Sequence, residues 1–296
     1  MLYRLRGSGE IIAIMDPPAP AGPGSTADGT ASRRATLRLF GLAGLGLVAG
    51  ACSSGTEAAP SSPSSSSTVG ATSTSTTAAT TSTAAGTCVA TPTETGGPFP
   101  ADGTNDNGRG QTANLLDDEG IIRGDIRSDL DGTDPQEGVP FTLKMKVRNA
   151  SCAPVAGAAV YVWHCNKEGE YSQYDSPMLG GDFSAHSWLR GAQLTDAEGD
   201  VAFTTILPGR YTGRAFHFHF EVYTDRSFAE RLLTSQLAGD DDQVEQLYRD
   251  AGYATALRNR TLNGTDGEFR DGVSEQTLTI TGDVKAGLEG SVAVTV

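Results

Sequence analysis

Basic residues are scarce in this chain of 296 residues: 22 lysines and arginines stand against 36 aspartates and glutamates, a formal charge of −14. So acidic a chain argues against nucleic acid and anionic membrane surfaces as partners, because both are recognised through basic patches. A small neutral or weakly charged ligand suits it better. Long apolar runs are also missing, and the stretch from Gly41 to Gly50 is too short to cross a bilayer as a mature helix. No internal repeat is present. Histidine and cysteine occur four times each, so the placement of those few side chains carries information.

Residues 1–31 hold Pro, Gly and Ala without periodicity, and Met15 offers a second candidate start. Then follow Ser32-Arg33-Arg34-Ala35-Thr36-Leu37-Arg38-Leu39-Phe40, the short apolar run and Ala49-Gly50-Ala51-Cys52. Paired arginines, an apolar core and a small-residue end predict an export signal of the twin-arginine type, and the last four residues resemble a lipobox in which Cys52 becomes the lipidated terminus. Plain secretion is the alternative. Residues 53–86 are almost entirely Ser, Thr, Ala, Gly and Pro, too poor in apolar surface to fold, and are expected to be a disordered tether. The expected organisation is an extension and signal over 1–52, a linker over 53–86 and one exported domain over 87–296. Membrane contact is expected only through the lipid at Cys52.

From residue 139 the pattern is strand-like. Phe141, Leu143, Met145 and Val147 alternate with polar residues, and further strands are predicted over Ala158–His164, Val201–Ile206, Gln276–Thr281 and Ser291–Val296. Phe228–Ala238 and Asp242–Ala256 read as short helices. The sum predicts a mainly β protein, a β-sandwich with short helical insertions behind a disordered leader. Outside the cytoplasm one disulfide is expected among Cys88, Cys152 and Cys165. A hairpin of 141–150 with 158–165 would hold Cys152 and Cys165 too far apart to bond, which makes Cys88 the partner of one of them, with the choice open.

Ala215–Tyr223 is a further predicted strand, sending Phe216, Phe218, Phe220 and Val222 to one face and His217, His219 and Glu221 to the other. Two imidazoles on one face can reach one ion. The same pair also fits an ordinary half-buried strand, so His-x-His alone does not decide.

Other segments add to it. Val160-Tyr161-Val162-Trp163-His164-Cys165-Asn166-Lys167-Glu168-Gly169-Glu170-Tyr171-Ser172, Leu189-Arg190-Gly191-Ala192-Gln193-Leu194-Thr195-Asp196-Ala197-Glu198-Gly199 and Pro208-Gly209-Arg210-Tyr211 through Phe220 stand in the order and spacing of the intradiol ring-cleavage dioxygenases, which this chain resembles. Thr91-Pro92-Thr93-Glu94-Thr95-Gly96-Gly97-Pro98-Phe99 resembles the opening of their catalytic domain. The resemblance covers roughly residues 88–240 and implies a non-haem Fe(III) held by Tyr171, Tyr211, His217 and His219. Hard phenolates with imidazoles suit ferric ion; zinc is the runner-up, against which tyrosine argues. Tyr174 competes with Tyr171 for the ligand position. His164 reads as a packing or supporting residue, and His186 falls outside the ligand motifs.

The resemblance also makes Tyr211 the displaceable ligand that takes a substrate proton, Arg214 the group facing developing charge, and Gln236 the active-site glutamine. The implied reaction adds both atoms of O2 to a catechol-type ring and opens it between the hydroxyl-bearing carbons to a muconate-type diacid. Catechol, protocatechuate and hydroxyquinol remain open as substrates, as does the oligomeric state. Only five residues separate Tyr211 from His217, a shorter excursion than in the better-known catechol enzymes. A surface-anchored β-sandwich binding aromatics or carbohydrates without turnover is the competing class; all four ligand positions being filled speaks against it.

Overall fold

Alternating apolar residues build the first layer. In β3 (Pro140–Arg148), Phe141, Leu143, Met145 and Val147 are all buried while Lys144 and Lys146 between them are exposed, the period of two that a half-solvated strand requires. A computed structural model describes residues 87–296. The twin-arginine segment, Cys52 and the 53–86 linker lie outside the described residues.

The remaining elements are β1 (Asp102–Asp106), β2 (Thr112–Asn114), β4 (Ala159–Trp163), β5 (Arg190–Leu194), β6 (Asp200–Ile206), β7 (His217–Tyr223), β8 (Arg231–Ala238), α1 (Asp241–Ala251), α2 (Ala254–Arg258), β9 (Thr279–Asp283) and β10 (Gly287–Thr295). Among the described residues they form a β1-β2 ribbon and two four-stranded sheets, ordered β6-β3-β10-β9 and β5-β4-β7-β8. Neighbours pair antiparallel except β10 with β3, which run parallel. The sandwich is therefore as expected.

One apolar core joins the facing sides of the sheets: Phe141, Leu143, Phe203 and Val294 from the first meet Val160, Val162, Phe218, Phe220, Leu233 and Leu237 from the second. A second cluster lies on the far side of the β5-β4-β7-β8 sheet. There Tyr161 and Trp163 pack beneath Phe99, Ala101, Leu115, Tyr171 and Tyr174. Irregular segments thus cover this sheet's outer face, which is why β4 and β7 are buried at every position.

Three expectations need correction. Phe228–Ala238 is not a helix: Arg231–Ala238 is strand β8, antiparallel to β7. Leu232, Leu233 and Leu237 mimic helical spacing, but β7 presents a row of backbone groups that β8 satisfies, and Leu233, Ser235 and Leu237 then fall on the core side. The second helix breaks in two at Gly252, which caps α1 with φ 69°. Segments 141–150 and 158–165 are not a hairpin either, since β3 and β4 belong to different sheets. Cys152 nonetheless bonds Cys88, with a Cα–Cα separation of 5.2 Å, and Cys165 is a buried thiol.

Among the described residues no helix is long and apolar enough to cross a membrane.

Candidate functional site

The outer face of β7 collects the polar side chains that the inner face excludes. His217 and His219 are buried there with ring centroids 4.8 Å apart. Register sets their neighbours: His219 lies opposite Trp163 of β4 on one side and Gln236 of β8 on the other. The Trp163 indole stacks on His219, 4.9 Å away and within 4° of parallel. Gly97 sits over the same imidazole, where a Cβ would stand 3.2 Å from Cε1, and its φ of +70° is one that glycine adopts freely.

Both tyrosines reach this face. Tyr171 follows the turn after β4, is 1% exposed and packs against Phe99 at 5.2 Å. Its hydroxyl lies 3.1 Å from His217 Nε2. Tyr211 meets Tyr171 edge-on at 5.7 Å and His217 at the same centroid distance. It is only partly buried, in a turn whose next two residues, Thr212 and Gly213, are exposed.

Arg214 closes the cluster. Its Nη1 is 3.4 Å from both the Tyr211 hydroxyl and His217 Nε2, its Nη2 donates to Gln236 Oε1, and its Nε faces the Asp266 carboxylate at 3.0 Å. The six residues expected from the sequence, Tyr171, Tyr211, Arg214, His217, His219 and Gln236, thus converge on one buried face. Tyr174 does not join as a donor. Its hydroxyl donates to Asn105 Oδ1 and accepts the Ala101 N–H, both at 2.7 Å, tying the covering segment down.

The remaining histidines lie elsewhere. His164 bonds the Cys165 carbonyl and the Thr205 hydroxyl, and burial pulls its pKa down to about 3. His186 pairs with Asp129 at 2.9 Å and with Asp134 at 3.3 Å. Asp129 in turn accepts the Ser187 and Trp188 amides, which makes this a loop brace.

The electrostatics are those of a dry donor set. Burial is the main cause that lowers the pKa of His217 and His219 and raises those of Tyr171 and Tyr211. His217 Nδ1–H donates to the Ala215 carbonyl at 2.8 Å, leaving the Nε2 lone pair aimed at the tyrosines. His219 Nδ1 is buried without a hydrogen-bond partner among the described residues. Left unpaired, such a nitrogen costs about 1–3 kcal/mol. Tyr171, Tyr211, His217 and His219 together offer two phenols and two imidazoles, a set that fits a hard trivalent ion such as Fe(III).

Two contributors went unforeseen. The Trp163 stack was invisible because the register of β4 on β7 is a tertiary fact. Asp266 lies in the loop after α2, where Asn263-Gly264-Thr265-Asp266 reads only as a turn.

Sandwich and donor cluster together define the class: a β-sandwich with two imidazoles and two phenols gathered on the covered face of one sheet. Residues 118–253 match the family model described as Dioxygenase. The chain is 32% identical over 143 residues to catechol 1,2-dioxygenase 2 of Acinetobacter lwoffii, covering 42% of this chain and 47% of that one. It is 31% identical over 155 residues to the protocatechuate 3,4-dioxygenase beta chain of Burkholderia cepacia, covering 47% and 63%. These matches support the intradiol dioxygenase family, although the chain spans about half the length of the first of these relatives. The fold is that of an intradiol ring-cleavage dioxygenase from Tetranychus urticae, with a TM-score of 0.57 at 24% identity over 70% of this chain and 94% of that one.

Proposed function

We propose that this protein is a non-haem Fe(III) intradiol dioxygenase. It would join both atoms of O2 to a catechol-type ring and open the bond between the two hydroxyl-bearing carbons, giving a muconate-type diacid. Both oxygens end in the product, so no further reductant is needed. The observation that carries this reading is the convergence of Tyr171, Tyr211, His217 and His219 with Arg214 on one buried face.

Those four side chains would hold the ion. When bound, ferric iron supplies Lewis acidity and an anchor for the two substrate oxygens. The protein's own groups divide the remaining work. Tyr171, fully buried and packed on Phe99, suits a permanent donor. Tyr211, partly exposed in a surface turn, suits a displaceable one whose phenolate takes a proton from an incoming hydroxyl. Arg214 directs Nη1 to that phenol and is placed to stabilise negative charge that develops beside it. The Trp163 stack and the close approach of Gly97 hold His219 against one rotamer and keep water from that side. Export by the twin-arginine route and a lipid anchor at Cys52 are proposed on the leader sequence alone.

The test is the visible spectrum of the full-length protein reconstituted with iron, before and after catechol is added under nitrogen. A red band that moves to longer wavelength supports tyrosinate ligation and catecholate entry. A loaded but colourless protein, or one that takes only zinc, overturns it in favour of a non-catalytic binding module.

A further inference from the structure

We propose that Asp266 is a positioning residue for this reaction, acting through Arg214; the inference rests on the dioxygenase reading. Asp266 is completely buried, and both of its carboxylate oxygens lie 3.0 Å from Arg214 Nε. Its Oδ2 also accepts the Ala215 N–H at 2.7 Å and its Oδ1 the Glu268 N–H at 2.9 Å. The carboxylate therefore clamps the arginine to the residue two positions before His217. The three guanidinium nitrogens have separate partners. Asp266 holds Nε, Gln236 holds Nη2, and Nη1 is left to face Tyr211 and His217. Gln236 is itself anchored, its Nε2 donating to the Thr95 carbonyl at 2.8 Å.

Charge explains why the clamp is an acid. A guanidinium beside two buried imidazoles and a cation site lacks water to screen it, and a buried charge without a partner is strongly destabilising. Asp266, completely buried against Arg214 Nε, supplies that partner as a fixed anion. Because the Arg–carboxylate contact is directional, it also fixes where Nη1 points.

A purely structural Asp266 would only cap two amides, and the two roles separate in a double-mutant cycle. In the iron-loaded full-length protein, Asp266→Asn should keep its iron and remain coloured. Its band before substrate should shift as the hydrogen bond from Arg214 to Tyr211 changes, and kcat should fall about 10–100-fold, the range typical of groups that orient a metal's ligands. KM should change less. In an Arg214→Gln background the same substitution should cost no further activity, and Asp266→Glu should recover part of the loss. Unchanged colour and kcat in Asp266→Asn, or a full multiplicative loss in the Arg214→Gln background, overturns the proposal. If Asp266→Asn does not fold, Asp266→Ser, which also removes the anion, carries the test, with an unshifted band and wild-type kcat overturning the proposal. A wild-type protein without the tyrosinate band defeats the dioxygenase reading itself and this inference with it, whereas an active wild type with a silent Asp266→Asn defeats this inference alone.

Discussion

The two sheets share one apolar core but differ on their outer faces. That of the β6-β3-β10-β9 sheet is open to water and carries Lys144, Lys146, Ala202, Thr279 and Ser291, all exposed. That of the β5-β4-β7-β8 sheet is equally polar, with Arg190, His217, His219, Glu221 and Gln236, yet every one of these is buried. Burying polar groups is costly unless each finds a partner. Most do: Arg190 is engaged by Ser172, Pro100 and Tyr161, and Glu221 by Arg231, Thr234 and Tyr223. Of these five residues, His219 alone keeps a buried side-chain nitrogen without a hydrogen-bond partner among the described residues.

Breaking the covered face at its centre should have the largest effect. His219→Ala should lose iron and turnover by more than the roughly 10–100-fold typical of supporting residues, read by metal analysis and oxygen uptake. Proton competition should come next. Burial already keeps both histidines neutral near pH 7, while it holds the phenols of Tyr171 and Tyr211 protonated. Loading must then expel phenol protons, so iron affinity should rise with pH, by about two log units per pH unit if both tyrosines bind. A flat titration against a competing chelator would contradict tyrosine ligation.

Changes on the shared core should sharpen the contrast by costing stability without changing the site's donors. Phe218→Ala, which empties the inner face of β7 between the two histidines, should lower stability by about 3–5 kcal/mol in denaturant unfolding while the folded fraction keeps its colour. Tyr174→Phe should leave the Ala101 N–H without its acceptor, cost about 1–3 kcal/mol and leave the colour unchanged. Bleaching in that variant would move the ligand assignment from Tyr171 to Tyr174. The smallest effect belongs to the open face. Lys144→Ala breaks a half-exposed pair with Glu289 and should change stability by no more than about 0.5 kcal/mol.

Local sequence patterns were enough for the sandwich and for placing His217 and His219 on one face of a strand. Alternation in Ala215–Tyr223 separates phenylalanines from histidines whatever the rest of the chain does, because the strand's period of two is a property of the backbone. The resemblance prefers Tyr171 to Tyr174 by spacing, and the two hydroxyls lie in different surroundings, the first beside His217 Nε2 and the second on Asn105 and the Ala101 N–H. Strand β8 was hidden because its leucines satisfy a helical period equally well, and only the unpaired edge of β7 decides between them. The Cys88–Cys152 bridge depends on where the segment before β1 runs, which no local pattern encodes.

By itself, then, the sequence determined which face of which strand is polar and which residue types are available to it, since these follow from periodicity and composition. The tertiary structure alone decided that this polar face is covered and its sister left wet. It also brought Asp266, 52 positions along the chain, against Arg214. Burial and long-range electrostatic pairing are properties of the packed chain, set by which segments cross which sheet.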